Sequence, residues 1–204
     1  PMGGGASYRC TQTDKGSRPA SMYWASHNNT ASLKLFRWDD GSGGRASDVS
    51  RSIPAWTSGA GSSPGPDGRS WNGRDDHRIG SGYVFGSEGA FLWSSRNNGS
   101  GRPQSYVRIC RFRASDRTIV GNSDLWSPTY DFGYPAVGLN SLGHKGAVFS
   151  VGSSSRHVST VAYLVDQYHT TWGGGSIYFL GTGTHGSPSN RWGDYHSVVA
   201  NRVD

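Results

Sequence analysis

The feature that most limits what this chain can become is a loose self-similarity with a period of about 58 residues. Tyr134-Pro-Ala-Val-Gly-Leu-Asn140 is followed by a turn, then Gly146-Ala-Val-Phe-Ser-Val151, Ser159-Thr-Val-Ala-Tyr-Leu-Val165 and Ser176-Ile-Tyr-Phe-Leu180. One unit earlier stand His77-Arg-Ile-Gly-Ser-Gly-Tyr-Val-Phe85, Gly89-Ala-Phe-Leu-Trp93, Ser105-Tyr-Val-Arg-Ile-Cys-Arg-Phe112 and Arg117-Thr-Ile-Val120. Each unit is four short apolar runs bounded by turn residues, which reads as four strands in a row. A repeat of that size and content is what a propeller blade looks like, and it sends the search for function to the loops on one face.

Composition agrees with an all-β chain. Hydrophobic residues make up only 33% of the 204 positions, yet aromatics reach 12% and glycines number 31. Disordered chains are poor in aromatic and β-branched residues, so eight Trp and ten Tyr argue for a packed core. No helical stripe is present, and no window approaches the roughly 18 apolar residues of a membrane helix. The net charge of +6 comes from 17 Arg and 3 Lys, scattered singly. With no basic run and no recognisable module, nucleic acid is not the expected partner.

The chain is expected to form one propeller-like domain over 1–204. Residues 1–19 carry little pattern. In 20–56, Met22–Ser26 and Leu33–Trp38 alternate around a polar turn and read as a hairpin in an incomplete blade, with a weaker strand at Asp48–Trp56. Residues 57–75 are a Gly/Ser/Pro loop long enough to be functional or mobile. Blades follow at 76–121 and 133–181, and 190–204 restarts the strand pattern. About three blades are visible, whereas propellers close with four to eight. The expectation is a partial propeller of four-stranded antiparallel blades, a fragment whose remaining blades lie elsewhere in the parent chain.

Asn190-Arg-Trp-Gly-Asp-Tyr-His-Ser-Val, together with Tyr134–Asn140, Gly143-His-Lys-Gly-Ala-Val-Phe-Ser150 and Ala90-Phe-Leu-Trp-Ser-Ser95, resembles secreted bacterial β-propeller domains of the sialidase-like superfamily. The resemblance covers 76–204 best and 20–56 weakly. It implies an exported, extracellular or cell-envelope protein. The superfamily mixes glycoside hydrolases with non-catalytic binding domains, and the Ser-x-Asp-x-Gly-x-x-Trp box of true sialidases is absent here.

Four constellations could carry chemistry. Arg96, Arg102, Arg156 and Arg191, with His157, come from successive blades on one face, where converging guanidiniums would hold a carboxylate. For glycoside hydrolysis the only Glu, Glu88, falls on the opposite face. An acid or base would come from Asp75, Asp76, Asp124, Asp131 or Asp194, and a nucleophile from Tyr130 or Tyr195, while Asp194 and Arg191 are expected to be structural groups beside a packed strand. Asp39-Asp40, and Asp67 with Asn72, Asp75 and Asp76, offer oxygens that suit Ca²⁺. Their simpler account is turn formation, and no cofactor is expected. Trp71, Trp126, Trp172 and Trp192 stand near loop ends; Trp71, in a Gly-rich loop without apolar neighbours, is the expected ligand-stacking ring, while Trp93 and Trp192 are expected between blades. Cys10 and Cys110 could pair, or Cys110 could be a buried free thiol.

The resulting expectation is a non-catalytic recognition or scaffold domain that binds glycan or protein through one loop face. The alternatives are a sialidase-like hydrolase and a structural spacer.

Overall fold

The structure, a computed structural model, describes residues 9–13, 21–40, 46–59, 61–73, 75, 77–97, 101–166, 171–172, 177–186, 189, 192 and 196–199. Among them there are strands and no helix, so the all-β expectation is met. Among the described residues no helix is long and apolar enough to cross a membrane. The first sheet holds β1 (Arg9–Cys10), β3 (Ser21–Asn29), β4 (Ser32–Asp39) and β5 (Ala46–Ser52), in that order. The second holds β2 (Gln12–Thr13), β6 (Ile79–Phe85), β7 (Glu88–Ser95), β8 (Tyr106–Arg113) and β9 (Ile119–Leu125). The third holds β10 (Asp131–Leu139), β11 (Lys145–Ser153), β12 (Arg156–Val165) and β13 (Ile177–Gly181). All pairings are antiparallel except β2 on β6.

Within the poorly patterned N-terminal stretch, β1 completes the first sheet to four strands beside β3, and β2 then crosses to pair with β6. Two-residue strands are too short to show a period of two, so nothing in the sequence marks them.

The second sheet lies between the other two, and this explains why its strands do not alternate. Side chains on a strand point to opposite faces in turn. Ala90, Leu92, Val107 and Ile109 face the third sheet and join Phe132, Val137, Leu139, Phe149 and Val161 in one core. Phe91, Trp93, Cys110 and Phe112 face the first sheet and join Tyr23, Leu33, Leu35 and Trp56 in another. Both faces of β7 and β8 are therefore buried. Cys110 is a buried free thiol, and burial pushes its pKa up to about 12.

The sheets approach through their first strands. A Cβ on Gly80 of β6 would lie 2.7 Å from the carbonyl oxygen of Pro135 in β10. Beside it, the Ser81 hydroxyl receives the Val137 amide at 3.1 Å. The same contact recurs one unit on. A Cβ on Gly138 of β10 would lie 2.7 Å from the Val198 carbonyl oxygen, and the His196 ring is 2.7 Å from the Tyr134 carbonyl. The segment 196–199 thus lies on β10 as β10 lies on β6.

Polar clamps hold the first two sheets together. The Arg108 guanidinium is buried; it forks onto Asp124 (2.8 and 3.1 Å) and donates to the carbonyls of Pro54 and Ala55. Near the β8–β9 turn, Arg37, Arg51 and Tyr23 donate to the carbonyls of residues 114–117. Arg117, with φ at +59°, donates back to Ser47 at 2.8 Å.

Candidate functional site

The β7–β8 loop, the β9–β10 connection and the β11–β12 turn leave their sheets at the same end, and this end carries the exposed aromatic rings. The β9–β10 connection is five residues long, from Trp126 to Tyr130. Trp126 follows the last residue of β9 and is 43% exposed. The Arg102 guanidinium, from the β7–β8 loop, lies over its ring at 4.7 Å from the centroid. Arg102 is held in place by Asp124 Oδ2 (3.2 Å) and by the Gly101 carbonyl (2.7 Å). Asp124 also serves the buried Arg108, so one carboxylate orients two guanidiniums. The centre of the connection is ordered by the Ser127 hydroxyl, which accepts the amides of Thr129 and Tyr130. At its other end Tyr130 is half-buried against the core, with the Arg156 guanidinium 5.9 Å from its ring. Arg156 opens β12 after the turn Ser154–Ser155 and stacks more closely on Phe179 of β13, at 4.5 Å. A strip therefore runs from Arg102 and Trp126 to Tyr130, Arg156 and Phe179.

The remaining expected site residues divide into those near the strip and those that are structural. Arg96 is exposed and lies beside the loop that follows β5, with its backbone amide on the Thr57 carbonyl at 3.0 Å and its guanidinium near Gly59. His157 is half-buried below Arg156, and Asp67 lies on its side of the loop. Desolvation is the largest single influence on the Asp67 carboxyl and raises its pKa, but the backbone amides of Arg69 and of Asp67 itself, with the charges of His157 and Arg69, together hold it below the usual range.

Trp71 corrects the sequence reading: it is 1% exposed and presents no stacking surface. The ring fits between Gly133 and Gly152, where a Cβ on Gly152 would meet Trp71 Nε1 at 2.5 Å. Its apolar neighbours come from the third sheet, far away in sequence. Asp131 is buried and accepts the Ser105 amide at 2.8 Å, which places its carboxylate away from any ligand. Burial raises its pKa, and the hydrogen bonds from Ser105 only partly offset this. Asn72 donates to the Ser105 hydroxyl at 3.3 Å, so the loop 61–75 plugs the top of the junction between the second and third sheets. Trp93 is fully buried between the first two sheets. Asp194 and Arg191 lie outside the described residues, as does Asp76. Asp39 is taken by Ser21 and Arg37, and among the described residues no three His, Cys, Asp or Glu gather as metal ligands would.

Sequence reasoning placed Trp126 near a loop end but preferred Trp71 as the ligand-contacting ring, and it missed Phe179 as the platform for Arg156. The signal for Trp126 was its place at a strand end just before Ser-Pro-Thr, where no following strand residue could cover it. Phe179 carried none, because Ile-Tyr-Phe-Leu reads as an interior strand. No family model, curated protein or solved structure matches the chain.

Proposed function

We propose that the three sheets are consecutive blades of a β-propeller and that the chain is a non-catalytic recognition domain of an exported bacterial protein, binding a glycan or a protein through the Trp126–Tyr130 strip. Three observations support the propeller reading. Each sheet contains four antiparallel strands in chain order, neighbouring sheets bury each other's faces, and β10 crosses β6, and 196–199 crosses β10, at a glycine. The observation that carries the binding reading is Arg102 lying over the exposed Trp126. A flat apolar ring rimmed by fixed donors is what a sugar face, or an interface side chain, docks against. Of the carboxylates weighed for hydrolysis, Asp131 is buried under a backbone amide at 2.8 Å, and Glu88, on the opposite face, pairs with Arg111 at 3.2 Å.

A glycan array probed with the purified chain and with Trp126→Ala tests the reading. Retention by the native chain and loss in the variant, at unchanged melting temperature, is the expected result. Turnover of a fluorogenic sialoside that disappears in Tyr130→Phe would instead establish the sialidase-like hydrolase. Glycan binding indifferent to Trp126→Ala would remove the strip from consideration.

A further inference from the structure

We propose that the β8–β9 turn carries an oxyanion site, built from Arg51 and Arg117 with Arg37 beside them, whose ligand is a tetrahedral dianion: a phosphate or sulfate group. The turn follows the end of β8 away from the strip, and the site stands whether or not the strip binds glycan.

Three arginines from different elements converge on a few residues of backbone. Arg37 of β4 donates to the Ser115 carbonyl at 3.0 Å, and Arg51 of β5 donates to the carbonyls of Asp116 (2.8 Å) and Arg117 (3.0 Å). Arg117, inside the turn, reaches back to the carbonyls of Ser47 (2.8 Å) and Leu35 (3.4 Å). Its φ is +59°, so its guanidinium is placed there against the backbone's own preference.

The charges so gathered lack counter-ions. Asp39 is engaged by Arg37 (2.5 Å) and Ser21, Asp48 by Lys34 (3.2 Å), and Asp116 by Arg113 (3.1 Å) and the Thr118 amide (2.9 Å). Among the described residues no carboxylate pairs with Arg51 or Arg117. Arg117 is half-buried; its desolvation, and then the charges of Arg37 and Arg51, lower its pKa, which Asp48 offsets only in part. Donors are also left over. Arg117 Nε is buried without an acceptor, and no described group accepts from Arg117 Nη2 or Arg51 Nη1. Each guanidinium has five N–H donors in one plane. A planar carboxylate matches one such fork, whereas a tetrahedral dianion offers oxygens to two at once and neutralises both.

The test titrates the purified chain with inorganic phosphate at constant ionic strength, by calorimetry and by thermal melts. Two charge-assisted contacts correspond to a Kd on the order of 1 mM. The gain in melting temperature should therefore saturate, whereas salting-out keeps growing with concentration. Arg51→Gln should weaken binding about tenfold. Arg51→Lys, which keeps the charge but loses the planar donor edge, should fall between that variant and the native chain, and it carries the test if Arg51→Gln does not fold. Glycerol phosphate is the second probe. Affinity equal to that of the free ion means that the site takes a phosphate group on a larger molecule; inorganic phosphate bound alone means that it takes the free ion. No saturation in the native chain, or unaltered affinity in the Arg51 variants, would overturn the site and leave the three arginines as a clamp on the turn. Binding lost in Arg102→Gln or Arg156→Gln, and kept in Arg51→Gln, would place the anion on the strip and overturn it equally.

Discussion

The sharpest consequence at the scale of single residues concerns His27. Its ring sits 4.6 Å from Trp56 and 4.8 Å from Trp93, and its Nε2 is buried without a partner. Burial, with a smaller contribution from His77 across Trp56, lowers its pKa from 6.5 to about 4. The unfolded chain therefore binds a proton that the folded chain refuses between those values. Stability is present in full above pH 6.5, falls as the pH drops toward 4, and levels off below; the loss is about 3 kcal/mol at most. Urea melts at pH 7.5, 5.5 and 4 check this, with His27→Gln as reference because carboxylates titrate in the same range. The native chain should lose more stability than the variant, and parallel losses would remove His27 as the cause. Asp124→Asn is the second test at this scale. It strips the charge partner from a buried Arg108 and should cost roughly 3–5 kcal/mol. A thermal melt shows this as a fall in midpoint of many degrees, and a shift of one or two degrees would mean that Arg108 finds another acceptor. The residue scale is also where the sequence was hardest to read. Trp71 and Trp126 both sit in polar, turn-rich surroundings, and what separates them is the pair of glycines, Gly133 and Gly152, that makes room for one and not the other. Such partners come from folding, and no local pattern announces them.

Among the elements, β13 stands out because all five of its residues are exposed. Ile177, Tyr178, Phe179 and Leu180 form an uncharged, apolar outermost strand, which is the kind of edge natural sheets usually protect with charge or a bulge. Leu180→Lys should reduce self-association at high concentration with little change in melting temperature. Light scattering and a melt on the same samples test this, and unaltered self-association would place the contact elsewhere. Strand identity and order were legible for the second and third sheets. Each unit contains runs of five to nine β-formers separated by Gly, Ser and Asp, and such runs have few other ways to fold. The alternating hairpin of β3 and β4 was legible for the same reason. β1 and β2 were not, since their backbones, rather than any side-chain period, hold them to β3 and β6. The strip at the loop end was half legible: the placement of Arg102 and Arg156 on neighbouring connections followed from the repeat, but the rings under them did not.

For the molecule as a whole, the question is what sets the spacing between sheets. Side-chain packing alone would allow several separations, but a backbone oxygen lodged against a missing Cβ allows very few. Gly80 and Gly138 each stand where first strands of neighbouring units cross, and at each a Cβ would lie 2.7 Å from a carbonyl oxygen of the next unit. Backbone atoms cannot swing aside as a side-chain end can. Gly80→Ala should therefore push β10 away from β6 and open the core that Tyr83, Leu92, Val137 and Phe149 share. The expected destabilisation is about 1–3 kcal/mol, the usual range for overpacking, even though alanine on its own would favour the folded state by restricting the unfolded one. Gly146→Ala is the matched control. It stands on the neighbouring strand of the third sheet, and its nearest contact to an added Cβ is the Val198 side chain at 3.7 Å, an ordinary separation. Chemical melts of the two variants should differ by at least the lower end of that range, with Gly146→Ala close to the native chain. If both variants melt alike, the close crossing of first strands does not set the spacing, and the stacking of successive units would have to rest on the two apolar cores alone.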